Sequence, residues 1–157
     1  RLDSLFHFER IEGHRHASPT SCPGKNLMAS LSGVWRNPSE GPKYHISRYY
    51  TPIPGQQKYY HGSFEKDFFI NCQGDCLVTA DGYRLRPSDA FKIAACPPEM
   101  PFGTKLDIEG IGEVVCRDRG GSKKKLRIEL WAGLSSVGLR NIYNTNTAGL
   151  RSVRIID

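Results

Sequence analysis

The stretch Lys105-Leu106-Asp107-Ile108-Glu109-Gly110-Ile111-Gly112-Glu113-Val114-Val115-Cys116-Arg117-Asp118-Arg119-Gly120-Gly121 decides how this chain folds. Residues 105–108 and 113–117 read as short strands on either side of the hairpin signal Gly110-Ile111-Gly112. Outward from it, similar runs recur at 45–51, 91–95, 126–131 and 152–156, each bounded by Gly or Pro. A shorter apolar run at 68–71 joins the same β pattern, and 76–79 leads into the turn Ala80-Asp81-Gly82-Tyr83. Short strands at this spacing indicate a compact barrel or sandwich, not a parallel α/β sheet. One helix is expected at 134–142, weakened by Gly133 and Gly138.

The chain divides at Asn37-Pro38-Ser39-Glu40-Gly41-Pro42, a cluster of turn and helix-breaking residues. This predicts an N-terminal piece over 1–36, a linker over 37–43 and a β domain over 44–157. In the first piece, residues 26–36 set Leu27, Leu31 and Val34 or Trp35 at helical spacing. Thirty-six residues are too few for a core of their own, so this piece must dock or be part of something larger. The chain opens at Arg1 without an initiator Met or a signal peptide, as expected of a processed or truncated product.

At 157 residues with 38% hydrophobic and 24% charged side chains, the composition is that of a folded domain and not of a disordered chain. No apolar run approaches the ~20 residues of a membrane span. The net charge of +6 permits an anionic partner, nucleic acid or acidic wall polymer, without selecting one. Its densest cluster, Lys123, Lys124 and Lys125 flanked by Arg119 and Arg127, is what a solvated loop also looks like. Nothing beyond net charge argues for nucleic acid.

Five cysteines are many for a chain of this size. Cys72 and Cys76 stand four apart beside Gly74, Cys96 and Cys116 flank the hairpin region, and Cys22 stands alone. Two disulfides and one thiolate with another job is the better reading, and four cysteines allow three pairings. A four-cysteine zinc site is the weaker one, since neither pair has two-residue knuckle spacing. Disulfides imply an oxidising, extracytoplasmic setting.

Two constellations carry chemistry. The segment Gly13-His14-Arg15-His16-Ala17-Ser18-Pro19-Thr20-Ser21-Cys22-Pro23-Gly24 sets a His and a Cys eight residues apart across a loop stiffened by two prolines. Imidazole and thiolate both bind zinc, although a catalytic zinc needs a third protein ligand. Farther on, Asp118 ends an apolar strand before two glycines, and Glu129 lies within another between Ile128 and Leu130. A carboxylate among apolar neighbours is costly to ionise, which suits a general acid for glycoside cleavage. The ordinary alternative puts Glu129 on the solvent face of its strand and makes Asp118 a turn cap.

The first segment resembles the C-terminal zinc loop of zinc-dependent N-acetylmuramoyl-L-alanine amidases and peptidoglycan recognition proteins, over about residues 8–36. The resemblance implies zinc ligation by His14 and Cys22, with Thr20 near the reaction centre. His16 stands where the family has Asp, and the family's other ligand and catalytic residue would precede Arg1. The segment is thus expected to be the tail of an α/β amidase domain with an incomplete zinc site.

Over about residues 46–156, the blocks Thr79-Ala80-Asp81-Gly82, Cys96-Pro97, Met100-Pro101-Phe102-Gly103-Thr104, Asp118-Arg119-Gly120-Gly121 and Ile128-Glu129-Leu130-Trp131 occur in order. They resemble the three-aspartate (3D) domain, as does the closing stretch 149–153. This domain is a double-psi β-barrel found in lytic transglycosylase A and in stationary-phase survival wall proteins. The resemblance implies a mainly β fold, a six-stranded double-psi barrel with short helices. It also implies a barrel that cuts the MurNAc–GlcNAc bond of peptidoglycan without a cofactor, in a parent protein that also carries an amidase. Glu129 would be the proton donor and Asp118 its partner, with Thr79, Asp81, Gly103, Thr104, Arg119, Gly120, Gly121 and Lys123 contacting substrate. The first family aspartate is Cys96 here, expected to pair with Cys116, and the last is lengthened to Glu129. Those departures leave a second expectation open: a non-catalytic wall-binding or structural module of a lysin or virion.

Overall fold

A computed structural model describes residues 41–156 except 73 and 121–125. These residues fall within one compact unit, Gly41–Asp157. Its elements run β1 (Lys43–Thr51), α1 (Phe64–Asn71), a 3-10 turn at Pro87–Asp89, β2 (Ile93–Cys96), β3 (Lys105–Ile108), β4 (Gly112–Arg119), β5 (Arg127–Leu134), α2 (Ser135–Asn144) and β6 (Gly149–Ile156). The protein is thus mainly β, with two short helices.

The six strands pair in the closed order β1-β5-β2-β4-β3-β6. β1 runs parallel to β5 and β2 parallel to β4, while the other four pairings are antiparallel. The hairpin read at Gly110-Ile111-Gly112 joins β3 to β4, with Ile108 opposite Gly112. Closure removes exposed sheet edges and leaves each strand an inner and an outer face. Alternation then decides which residues form the core. Ile46, Ala94, Leu106, Ile108, Val114, Cys116, Ile128, Leu130 and Val153 fill one buried cluster together with Cys96. Two smaller buried clusters are separate from it, one of Tyr50, Ala132, Leu139 and Ile142, and one of Leu85, Ile93 and Trp131.

The chain enters the barrel over Gly41 and Pro42, upstream of the residue where the sequence sets its β domain. The Pro42 carbonyl accepts from Val153 N at 3.0 Å, and a Cβ on Gly41 would lie 2.3 Å from the Val153 carbonyl oxygen. Only glycine fits there.

Two expectations need correction. Residues 68–71 are the second half of α1, not a strand. Ser63 caps the helix by accepting from Lys66 N, and Glu65 and Asp67 place negative charge in its first turn. The cap and the acids outweigh the strand preference of Phe68, Phe69 and Ile70, which stay exposed. The run at 76–79 forms no strand either; a single bridge pairs Val78 with Arg84 around the turn. The helix expected at 134–142 is present as α2, and its glycine is what lets it dock. A Cβ on Gly138 would lie 2.3 Å from the Gly133 carbonyl oxygen and 3.0 Å from Tyr50 Cβ. Both cysteine pairs are disulfides, Cys72–Cys76 and Cys96–Cys116.

Candidate functional site

A groove of about 700 Å³ lies against the outer faces of β1, β2, β4 and β5 and is bordered by α1 and the loops beside it. That volume is in the range of small-molecule sites. Ala95 of β2 is the pivot of its floor. It pairs with Asp118 of β4 on one side and Glu129 of β5 on the other. Two strand spacings of about 4.8 Å thus separate the acidic residues at the backbone, and both line the groove.

Asp118 faces the groove because β4 carries a bulge. Ala94 pairs with Cys116, yet the next residue, Ala95, pairs with Asp118, so Arg117 is the extra residue. Strict alternation from the inward-facing Cys116 would turn Asp118 into the barrel. One inserted residue re-aims it outward. Glu129 needs no such device, since it alternates with the inward-facing Ile128 and Leu130.

Among the described residues, three donors converge on Asp118. Its Oδ1 accepts from Ala80 N at 3.1 Å and Arg119 N at 2.9 Å, and its Oδ2 from the Tyr49 hydroxyl at 2.9 Å. Burial pushes the Tyr49 phenol well above its ordinary value, and the charge of Asp118, the bond to it and the charge of Glu129 add to the shift. Tyr49 therefore holds its proton at any physiological pH and presents it to Asp118. Among the described residues, Glu129 is held at one oxygen. Its Oε1 accepts from Ser47 Oγ at 3.2 Å and lies 3.9 Å from an Arg127 nitrogen. Its Oε2 lies against Gly120, where a Cβ would sit 3.0 Å away. The expected apolar surroundings of Glu129 are thus, on the groove side, a hydroxyl, a guanidinium and a bare glycine.

Behind the groove-lining residues Tyr50, Tyr60 and His61 is a third carboxylate, in a different environment. Asp67 of α1 is fully buried. Its Oδ1 accepts from His61 N at 2.8 Å and contacts His61 Nδ1 at 2.6 Å; its Oδ2 accepts from Tyr60 N at 2.7 Å and from the Tyr50 hydroxyl. Burial raises its pKa, but the bonds from Tyr50, His61 and Tyr60 together outweigh burial and hold it below the ordinary carboxylate value. Tyr50, Tyr60 and His61 all line the groove.

Of the other residues expected at the site, Thr79 and Arg119 line the groove. Arg119 stacks on the Phe102 ring at 3.7 Å and donates to the Met100 carbonyl at 3.0 Å. Thr79 is buried, its hydroxyl bonded to Asp81 within the turn. Asp81 is outside the groove lining and serves that turn, accepting from Tyr83 N and pairing with Arg117 at 3.0 Å. Gly103 and Thr104 form another turn away from the groove, with Gly103 N on the Cys116 carbonyl and Thr104 Oγ1 on the Pro101 carbonyl. Gly121, Lys123, His14 and Cys22 lie outside the described residues, so the expected zinc site does too. Ser47, Tyr49, Arg127 and the Asp67 cluster join the site without having been expected there. Ser47 and Tyr49 carried a usable signal: they alternate with Ile46 in a β-rich run, which marks an outer face.

Among the described residues, no group of three or more His, Cys, Asp or Glu side chains could hold a metal ion, and no helix is long and apolar enough to cross a membrane. Compared with known proteins, the chain matches no family model and no curated sequence.

Proposed function

We propose that the groove binds a peptidoglycan glycan strand and that Asp118 and Glu129 cleave it as a lytic transglycosylase. One observation carries this reading: the two carboxylates flank Ala95 on the floor of a single groove. Glycoside cleavage commonly uses two carboxyl groups astride the scissile bond. Glu129, held at one oxygen among the described residues, is the acid. It protonates the oxygen linking N-acetylmuramic acid to N-acetylglucosamine. The muramic acid C6 hydroxyl then attacks C1 and returns its proton to the Glu129 carboxylate, leaving a 1,6-anhydro end. Asp118, oriented by Tyr49 and two backbone amides, faces the cationic transition state.

The finer fold assignment, a double-psi barrel of the 3D type, belongs to the same proposal. It is supported by two parallel pairs, β1–β5 and β2–β4, within an otherwise antiparallel barrel. An extracytoplasmic location is supported by the two disulfides. For residues 1–36, an amidase remnant with zinc at His14 and Cys22 rests on the sequence resemblance alone.

The test is incubation with purified peptidoglycan and mass spectrometry of the products. Anhydromuropeptides are expected from the wild type. Glu129→Gln should release none yet still sediment with the wall. Cleavage retained in that variant would overturn the acid assignment, and sedimentation without product by the wild type would leave a wall-binding module.

A further inference from the structure

We propose that Tyr60 and His61, with Tyr143 beside them, form a second sugar subsite of the groove, one ring or more beyond the cleaved linkage. The inference rests on the glycan reading above and names where that strand is gripped.

Asp67 is the first observation. It is the only buried residue of α1, in a helix that leaves Phe68, Phe69 and Ile70 exposed. A buried carboxylate is a poor way to fasten a helix, because an apolar residue of similar volume usually stabilises as well or better. What a carboxylate does better is orient donors. Here two of its bonds go to the consecutive amides of Tyr60 and His61 and a third to the His61 ring, so one acid fixes a two-residue tip at the groove's edge.

The imidazole is the second. With Nδ1 against an acceptor-only carboxylate, that nitrogen carries the proton and Nε2 is the free position. The ring lines the groove and is about one-third exposed, which leaves Nε2 available to a sugar hydroxyl or acetamido group.

The third is aromatic. Tyr60 sits edge-on to the His61 ring at 4.9 Å and packs against Tyr143 at 5.7 Å with 37° between the ring planes. Both tyrosines remain substantially exposed, 48% and 65%. They form a platform continuous with the groove through Tyr60. Exposed tyrosines offer an apolar face for the C–H side of a pyranose and a hydroxyl for its rim. A stacking surface beside an oriented hydrogen-bonding group is the pairing that a saccharide ring requires.

The test uses full-length Glu129→Gln, to stop turnover, with two probes: the disaccharide GlcNAc-MurNAc and the tetrasaccharide (GlcNAc-MurNAc)₂. Calorimetry should show tighter binding of the tetrasaccharide. Tyr143→Ala, whose ring is mostly in solvent, and His61→Gln should each weaken the tetrasaccharide by about fivefold to tenfold and leave the disaccharide unchanged. Thermal melts confirm that each variant is folded, and Tyr143→Ala carries the test should His61→Gln melt early. Equal affinity of wild-type and variant platforms for the tetrasaccharide overturns the subsite alone. Failure of Glu129→Gln to bind either sugar overturns the glycan reading and the subsite with it.

Discussion

Replacing Asp67 with asparagine changes one atom in a carboxylate that four groups approach among the described residues, and the size of the effect follows from those four. His61 N and His61 Nδ1 approach one oxygen, and Tyr60 N and the Tyr50 hydroxyl the other. An amide must turn its NH₂ toward one of these pairs. The Tyr50 hydroxyl can rotate to accept, and His61 can change tautomer to accept at Nδ1. Neither backbone N–H can adapt. Whichever way the new side-chain amide turns, one part-buried backbone N–H loses its acceptor, a loss of about 1–3 kcal/mol. The bonds that remain lose their charge assistance, about 1 kcal/mol each. The sum is about 3–5 kcal/mol, the range found when a buried charged network is broken from one side.

Urea unfolding with disulfides intact measures this directly. Trp131 is almost fully buried and reports the barrel by its fluorescence. The midpoint should fall with the slope unchanged. In a domain of this size the melting temperature should drop by about 10–20 °C. A loss under about 1 kcal/mol would refute the reasoning, since it would mean the two amides already have water or another acceptor available.

Three further outcomes are expected. Tyr49→Phe removes the side-chain donor that Asp118 has among the described residues and should slow anhydromuropeptide release about tenfold or more, with two backbone donors still holding Oδ1; an unchanged rate would take Tyr49 out of the site. Gly138→Ala should lower stability by roughly 1–3 kcal/mol in a thermal melt despite alanine's better helix propensity, because its Cβ meets the Gly133 carbonyl; a stabilised variant would show that α2 is not packed that closely. Acid should destabilise the fold through Asp67 and Asp81. Burial raises both, but their hydrogen bonds, and Arg117 at Asp81, hold them below the ordinary value. The unfolded chain therefore takes up these protons first, at about pH 4. Their stabilisation is complete above that pH and is lost as pH falls through the lower folded values. Urea midpoints at pH 5 and pH 3 check it, and the fall should be smaller in Asp67→Asn.

The barrel strands were legible because each is a short apolar-rich run, with Ile128 and Leu130 alternating with Arg127 and Glu129 and Val114, Val115 and Cys116 following Glu113, and because Gly or Pro marks many of the ends. The pair Asp118 and Glu129 was legible as two acids in adjacent runs. What brings them together was not. The bulge at Arg117 has no glycine or proline to announce it and depends on pairing with a strand more than twenty residues away. Helix α1 was misread for a physical reason: a run of Phe68, Phe69 and Ile70 reads as buried, and here the acid goes inside while the aromatics go out. Tertiary hydrogen bonds to Tyr50, Tyr60 and His61 made that inversion favourable, and no local window contains Tyr50. Gly138, read as a weak point of its helix, is a point of closest approach.

The disulfide at Cys96 bears on whether two acids are enough. The resemblance sets Cys96 where the family has its first aspartate. Ala95 and Cys96 are neighbours on β2, so their side chains leave by opposite faces, Ala95 to the groove and Cys96 to the barrel interior among Leu106 and Leu130. On this backbone a carboxylate at 96 would be buried among apolar groups, at several kcal/mol unless paired. The disulfide does something else there. Cys116 precedes the bulge on β4 and Cys96 follows the matching step on β2, so the bond spans the register shift that turns Asp118 outward. A slip of one residue would return Asp118 to the interior, and the covalent bridge forbids it. On the proposed resemblance, Cys96 would thus stand as a register lock in place of a third acid, beside the two groove-facing acids. Replacing both cysteines with serine should cost about 3 kcal/mol of stability, from a 20-residue separation. It should also reduce anhydromuropeptide release at least tenfold under conditions where circular dichroism still shows the barrel. Full activity in that folded variant would mean that the bulge holds Asp118 in place without the bridge.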